Sequence, residues 1–252
     1  MAQKISATII TFNEQINISK CLSSIEDIVD EIIIVDSFSN DDTKKICISN
    51  PKVKFIEHSF EGHIEQKNLA ITYSNHDYIL SLDADEALSE ELKDSIIEEK
   101  RKGLLEAYSF NRLNFYGKKA IKTCGWYPDK KVRLFRKSVG KWAGTNPHDK
   151  IELLSNTQTQ HLKGDLLHYS YSGVWDHISR SMKYSKIASK AMLEKGQSPS
   201  IAKMIFSPLF RFLKYYFIKR GFTDGIIGFH ICLNSAYITY LKYFALYKSS
   251  KK

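Results

Sequence analysis

The chain has 252 residues, of which 43% are hydrophobic and 26% charged, with a formal net charge of +9. That length is enough to bury a full core, and the ordinary apolar fraction excludes both a disordered chain and a polytopic membrane protein. The charge is unevenly spread: from Lys203 to Lys252 there are nine Lys/Arg and one acid, leaving 28 basic and 27 acidic residues in the rest. That same tail holds 13 of the 31 aromatic residues.

Cys21, Cys47, Cys124 and Cys232 lie far apart without ligand spacing. They fit reduced thiols in a cytosolic compartment better than a disulfide framework or a zinc site. The N-terminal stretch is too short and too polar for a signal peptide.

Taken in chain order, "KISATIITFN" predicts a strand, and a helix follows from about Ile16 to Ile28. "DEIIIVDSFS" is a nearly continuous apolar run, as in a parallel sheet covered on both faces. Asp41 and Asp42 then open a helix, where acids favour the dipole. "KVKFIEHS" predicts a third strand, "EGHIEQKNLAITYS" a helix, and residues 77–83 a fourth strand. This alternation predicts an α/β fold with a parallel sheet. After Gly103, "EAYSFNRLNFYG", "KKVRLFRK" and "GDLLHYSYS" predict longer strands. The apolar spacing from Val174 to Glu194 predicts an amphipathic helix ended by Gly196 and Pro199.

In such a sheet, ligands bind beyond the carboxyl ends of the strands. Three of those ends carry distinctive polar groups: Thr11-Phe12-Asn13-Glu14, Asp36-Ser37, and Asp83-Ala84-Asp85-Glu86. Asn13 and Asp36 taken singly also suit helix capping. Three crowded carboxylates repel one another and call for a counter-charge. Glu86 reads as an acid favouring the following helix, for which Ser89 is a natural N-cap.

With "IIIVDSFSNDDT", "EQKNLAI", "LSLDADE", "CGWYPDKKVRLFR", "NPHDKI", "LLHYSY" and "GFTDGIIGF" in this order, the chain resembles inverting family 2 glycosyltransferases of GT-A fold. More narrowly, it resembles bacterial enzymes that add glucose or a related sugar to the lipopolysaccharide core. The resemblance implies a UDP-sugar donor, a lipid-linked or lipopolysaccharide-core saccharide acceptor, and a divalent metal, Mn²⁺ or Mg²⁺. It implies Asp85 as metal ligand, with Asp83 at the ribose or a metal-bound water. Thr11, Phe12, Glu14 and Asp36 fall around the nucleoside, though "VDSFSND" replaces a commoner "DDGSTD" run. Lys67 matches a basic residue that touches diphosphate or sugar; a solvated helix lysine is its rival reading. Gly125 matches a loop beneath the donor sugar, and Trp126 reads either as a sugar platform or as packing. His168 falls where the fold supplies a late histidine to metal or diphosphate, although a lone strand histidine is also a common core residue.

An attacking hydroxyl needs a carboxylate base. The candidates are Asp129, Asp149, Glu152 and Asp165, and Asp149, in a segment rich in loop formers, is the choice. Related sequences more often carry Glu there, so Asp149 has a shorter reach. Arg133 and Arg136 are candidate phosphate or acceptor contacts, read as sharing one strand face.

The domain reading is a catalytic domain over 1–172, with a nucleotide-binding half (1–103) and an acceptor half (104–172), then a C-terminal helical region, 173–252. Residues 203–252 suit an anionic membrane surface, placing the protein on the inner face of the cytoplasmic membrane; a helical pair packing on the catalytic domain with its aromatics inward is the plainer reading, and the two are compatible. Ile226 to Leu246 is too polar to read as a span. A polyprenyl-phosphate glycosyltransferase is the alternative enzyme. A nucleic-acid-binding protein is the remote one, disfavoured by a near-neutral body with an acidic rim.

Overall fold

A computed structural model of the chain describes residues 3–145, 148–194, 196 and 200–249. It forms two compact units, one of residues 1–112 and 129–168, the other of residues 113–128 and 169–252.

The first unit begins with β1 (Ile5–Thr11), α1 (Ile18–Ile25), β2 (Glu31–Asp36), α2 (Thr43–Ile48), β3 (Val53–Glu57), α3 (His63–Thr72) and β4 (Tyr78–Asp83). The strands pair in parallel in the order β3-β2-β1-β4. β1 and β2 are almost wholly buried, as their unbroken apolar runs require of a sheet covered on both faces. Parallel register sets Thr11 opposite Asp36 and Ile10 opposite Asp83, so the polar ends of three strands share one rim.

A short β5 (Glu86–Leu88) and α4 (Glu90–Lys102) follow. Ser89 caps α4 by accepting from Leu92 N; Glu90 and Glu91 open the helix and Lys100, Arg101 and Lys102 close it, matching the dipole at both ends. Next come β6 (Ala107–Tyr116), β7 (Lys119–Ala120), β8 (Lys130–Arg136), β9 (Gly140–Thr145), β10 (His148–Leu153) and β11 (Thr159–Tyr171). β8 lies antiparallel on β4 and on β6, and β11 antiparallel on β5, making the sheet mixed. Gly164 permits close approach to the start of α4: a Cβ there would lie 2.3 Å from Leu92 N. The main core joins Ile5, Ile9, Ile32, Ile34, Leu80 and Phe110, all fully buried.

In the second unit, α5 (Val174–Glu194) and α6 (Ile201–Leu213) both pack on α7 (Gly225–Ser249). A π-helical turn (Lys214–Ile218) and a 3₁₀ turn (Gly221–Asp224) connect α6 to α7. The buried center of this unit is Tyr116, Ile121, Cys124, Ile231 and Cys232. Among the described residues, no helix is long and apolar enough to cross a membrane. α6 buries none of its residues, and Phe206 and Phe210 are each 65% exposed. The helical pair expected from the sequence therefore keeps several α6 aromatics outward, not inward.

Candidate active site

At the ends of β1 and β2 the carboxylate of Asp36 is fully buried and organises the loop. Thr11 Oγ1 donates to its Oδ1 at 2.7 Å, and Ser39 N to its Oδ2 at 2.7 Å. Asn13 takes a left-handed backbone, φ 55°, and its side-chain oxygen accepts from Asn40 N at 2.9 Å. Neither Asn13 nor Asp36 is spent on a helix cap. Phe12 stands 58% exposed beside this loop, and Glu14 accepts from Asn17 Nδ2 at 2.9 Å.

The acidic end of β4 is not left to repel itself. Asp83 Oδ1 meets Lys67 Nζ at 2.7 Å, and its Oδ2 meets Arg133 Nη2 at 3.1 Å. Burial by itself would raise the Asp83 carboxyl, but Lys67 and Arg133 outweigh it and hold the group far below the usual carboxylate range. Lys67 Nζ also donates to Asp149 Oδ2 at 2.7 Å, so one buried ammonium joins the two carboxylates. Trp142 lies against both cations, its ring 4.0 Å from Lys67 Nζ and 4.9 Å from the Arg133 guanidinium. Its indole N–H donates to Ser81 Oγ at 3.0 Å, which fixes the ring.

Glu86 corrects its sequence reading. It lies in β5, not in a helix start, and is fully buried against Arg133 at 2.7 Å. Burial would lower the Arg133 guanidinium, but Glu86 and Asp83 raise it above its ordinary value. Asp149 likewise sits in a strand: β10 pairs with β9, with Asp149 opposite Gly144. The adjoining Asn146 and Pro147 lie outside the described residues. Arg133 and Arg136 do not share a face. Arg133 points to Asp83, whereas Arg136 pairs with Tyr78 at the start of β4, about 17 Å away at ~3.3 Å per residue, beside Asp77 at 3.6 Å.

Asp85 and His168, 83 positions apart, come together with Oδ2 and Nε2 at 3.3 Å. The pairing of β5 with β11 does this by setting His168 opposite Glu86. The pair offers one carboxylate oxygen and one imidazole nitrogen, a donor set that suits Mn²⁺ or Mg²⁺ when phosphate oxygens complete the shell. Among the described residues, no three His, Cys, Asp or Glu converge as a complete protein cage.

Of the other base candidates, Asp129 pairs with Arg112 at 2.8 Å and with Lys131 at 3.0 Å, and Glu152 with Lys150 at 3.2 Å. Gly125 and Trp126 belong to the second unit. Gly125 is left-handed, φ 71°, and Trp126, partly buried, has its ring centroid 5.6 Å from that of Tyr171 and 6.4 Å from that of Tyr116. Sequence reasoning missed Trp142 and Arg112. Trp142 had a signal, an aromatic next to glycines just before the candidate base; Arg112 had none.

The sequence model for glycosyl transferase family 2 matches residues 6–152. An uncharacterised glycosyltransferase of Rickettsia typhi is 30% identical, over 99% of this chain and 89% of its own length. The lipopolysaccharide core biosynthesis glycosyltransferase LpsC of Rhizobium meliloti is 26% identical, over 97% of this chain and 92% of its own. Among solved structures, S. aureus TarS 1–349 in complex with UDP-GlcNAc aligns with TM-score 0.49 and 13% identity, over 99% of this chain and 92% of that one.

Proposed function

The chain belongs to glycosyl transferase family 2, and from that premise we propose that it moves a hexose from a UDP-sugar to a hydroxyl of a lipopolysaccharide-core or other lipid-linked saccharide, with inversion. The acceptor class follows the name of the LpsC relative, which spans nearly the whole chain. We read the mixed sheet as a GT-A fold. The observation that carries the mechanism is the Lys67 ammonium held at 2.7 Å by both Asp83 and Asp149, which ties the acidic strand end to a carboxylate base.

In this reading a hydroxyl oxygen of the acceptor attacks the anomeric carbon, and the bond from that carbon to the diphosphate breaks. Asp149 takes the hydroxyl proton on a carboxylate oxygen. Lys67 orients Asp149 and, with Arg133, keeps fixed positive charge where the leaving diphosphate gains negative charge. Asp85 and His168 would hold a divalent cation, which supplies Lewis-acid neutralisation of the diphosphate. Phe12 offers an exposed ring for the uracil, and the Thr11–Asp36–Ser39 network sets the loop that presents it.

A thermal-shift series with UDP-sugars, with and without Mn²⁺, tests this. One UDP-sugar raises the melting temperature, with the larger shift in Mn²⁺, and His168→Ala removes most of the metal-dependent part. The same shift in His168→Ala at every Mn²⁺ concentration would remove His168 from the metal site.

We also place the protein on the inner face of the cytoplasmic membrane. α6 and its following turn expose Phe206, Phe210, Phe217 and Ile218 among Lys203, Arg211, Lys214, Lys219 and Arg220, the composition of a helix lying in an anionic interface. Replacing Phe206, Phe210 and Phe217 together by Ser lowers the partition coefficient onto phosphatidylglycerol vesicles, read by co-flotation, by roughly 10³-fold or more, at ~1.5–3 kcal/mol for each buried aromatic. Undiminished flotation would contradict this placement.

A further inference from the structure

The candidate base stands on a sheet of its own. β9 and β10 form a two-stranded sheet, and among the described residues it shares no ladder with the nine-stranded one. Two strands alone are marginally stable at best, so Asp149 is only as fixed as the contacts that dock β9 and β10. Trp142, 3% exposed, supplies several of those contacts at once. Its backbone N–H donates to Asn68 Oδ1 at 3.0 Å, and its carbonyl accepts from Asn68 Nδ2 at 2.9 Å. One side-chain amide of α3, with its donor and its acceptor, thus stands in for a neighbouring strand. The indole N–H, donating to Ser81 Oγ, ties Trp142 to β4, and the ring lies against Lys67 and Arg133. Ile71 of α3 and Ile79 of β4 complete its apolar surroundings.

Strand register carries that attachment to the base. Trp142 lies opposite Ile151, and Gly144 lies opposite Asp149. Residues two apart on a strand face the same side, so Trp142, Ile151 and Asp149 share one face of the pair. Ile151 packs against the cluster that holds Trp142, Ile71 and Ile79, which makes this the face turned to α3 and β4. There Lys67 Nζ meets the Asp149 carboxylate at 2.7 Å and stands 4.0 Å from the Trp142 ring. Two consecutive residues of α3 therefore fix the base from both ends. Lys67 holds its carboxylate, and Asn68 holds the strand pair that carries it.

We infer that Asn68 and Trp142 are positioning residues for Asp149, setting where its carboxylate meets the acceptor hydroxyl. The inference rests on the transferase reading, in which Asp149 takes the acceptor proton, and adds what places that base. The donor-side groups stand on other elements: Phe12 follows β1, Asp85 precedes β5, and His168 lies in β11. Loosening the β9–β10 pair therefore misplaces the base and leaves donor binding as it was. A shift of about 1 Å in a reacting group costs on the order of 10²-fold in rate.

The test is steady-state kinetics of Asn68→Ala and Trp142→Phe, each made in the parent and in the Asp149→Asn protein. Asn68→Ala removes the amide clamp. Trp142→Phe keeps an aromatic ring for Lys67 and Arg133 and removes the bond to Ser81. In the parent background each lowers kcat about tenfold and changes the donor KM by less than about twofold. In the Asp149→Asn background neither lowers the residual turnover further, since no base remains to be misplaced. A general loss of structure would instead act by the same factor in both backgrounds. Asn68 is only partly buried, so Asn68→Ala decides the matter if Trp142→Phe fails to fold. An equal fall with and without the base, a rise in donor KM that accounts for the lost kcat/KM, or unchanged kcat in Asn68→Ala would overturn this inference alone. A parent that turns over no UDP-sugar fails the transferase reading, and the inference falls with it.

Discussion

Asp149→Asn lowers turnover by about 10²–10⁴-fold, the usual contribution of a positioned general base, and leaves UDP-sugar binding near the parent value. The substitution is nearly isosteric. Lys67 still finds an amide oxygen where it met Asp149 Oδ2 at 2.7 Å, and it keeps Asp83 at 2.7 Å. The acidic strand end therefore holds its geometry while the proton acceptor is lost. Steady-state kinetics check this by a fall in kcat with little change in donor KM. Near-normal turnover would favour a phosphate acceptor, which needs hardly any base, and so the polyprenyl-phosphate reading.

Arg133→Met destabilises the first unit by about 3–5 kcal/mol, the cost of leaving a buried ion without its partner. Glu86 is fully buried; without the Arg133 contact at 2.7 Å it keeps a hydrogen bond from Asp83 N at 3.0 Å and, among the described cations, the longer Arg112 contact at 3.6 Å. The melting temperature falls by on the order of 10 °C. The pair Arg133→Met with Glu86→Gln regains much of that loss, since the orphaned charge is gone. The acid side changes as well. A depressed Asp83 carboxyl contributes stability that is present above its unfolded value and is lost as pH falls through the folded one. Without Arg133 that contribution shrinks, and acid unfolding moves to higher pH. Equal melting of the variant and the parent across pH would show that the ion pair does not hold β5 in place.

The parallel half of the fold was legible because its signal is local. An unbroken EIIIVD run and the polar residues that end β1, β2 and β4 are visible one segment at a time. The Ser89 cap was legible for the same reason. The β9–β10 pairing was not: the segment around Asp149 read as loop formers, although 140–145 and 148–153 pair as strands. β5 was hidden inside the acidic run, since three residues carry no periodicity. The site's acids were readable as a group, but not their balance. Lys67 reaches Asp149 across 82 positions, and Arg133 reaches Asp83 across 50, separations to which no local pattern points. The sequence reading gives the metal to Asp85, sets Asp83 at the ribose or a metal-bound water, and gives Glu86 to a helix start. The fold pairs Asp83 with Lys67 and Arg133, buries Glu86 against Arg133, and sets Asp85 beside His168.

The central claim is an inverting transfer of a hexose from a UDP-sugar to a saccharide hydroxyl, and the anomeric configuration of the product tests it most directly. Proton NMR of the isolated product, made from a UDP-hexose that is α at the anomeric carbon, shows a single new β linkage to a hydroxyl oxygen. An α-linked product, or a sugar attached through phosphate, would contradict the account.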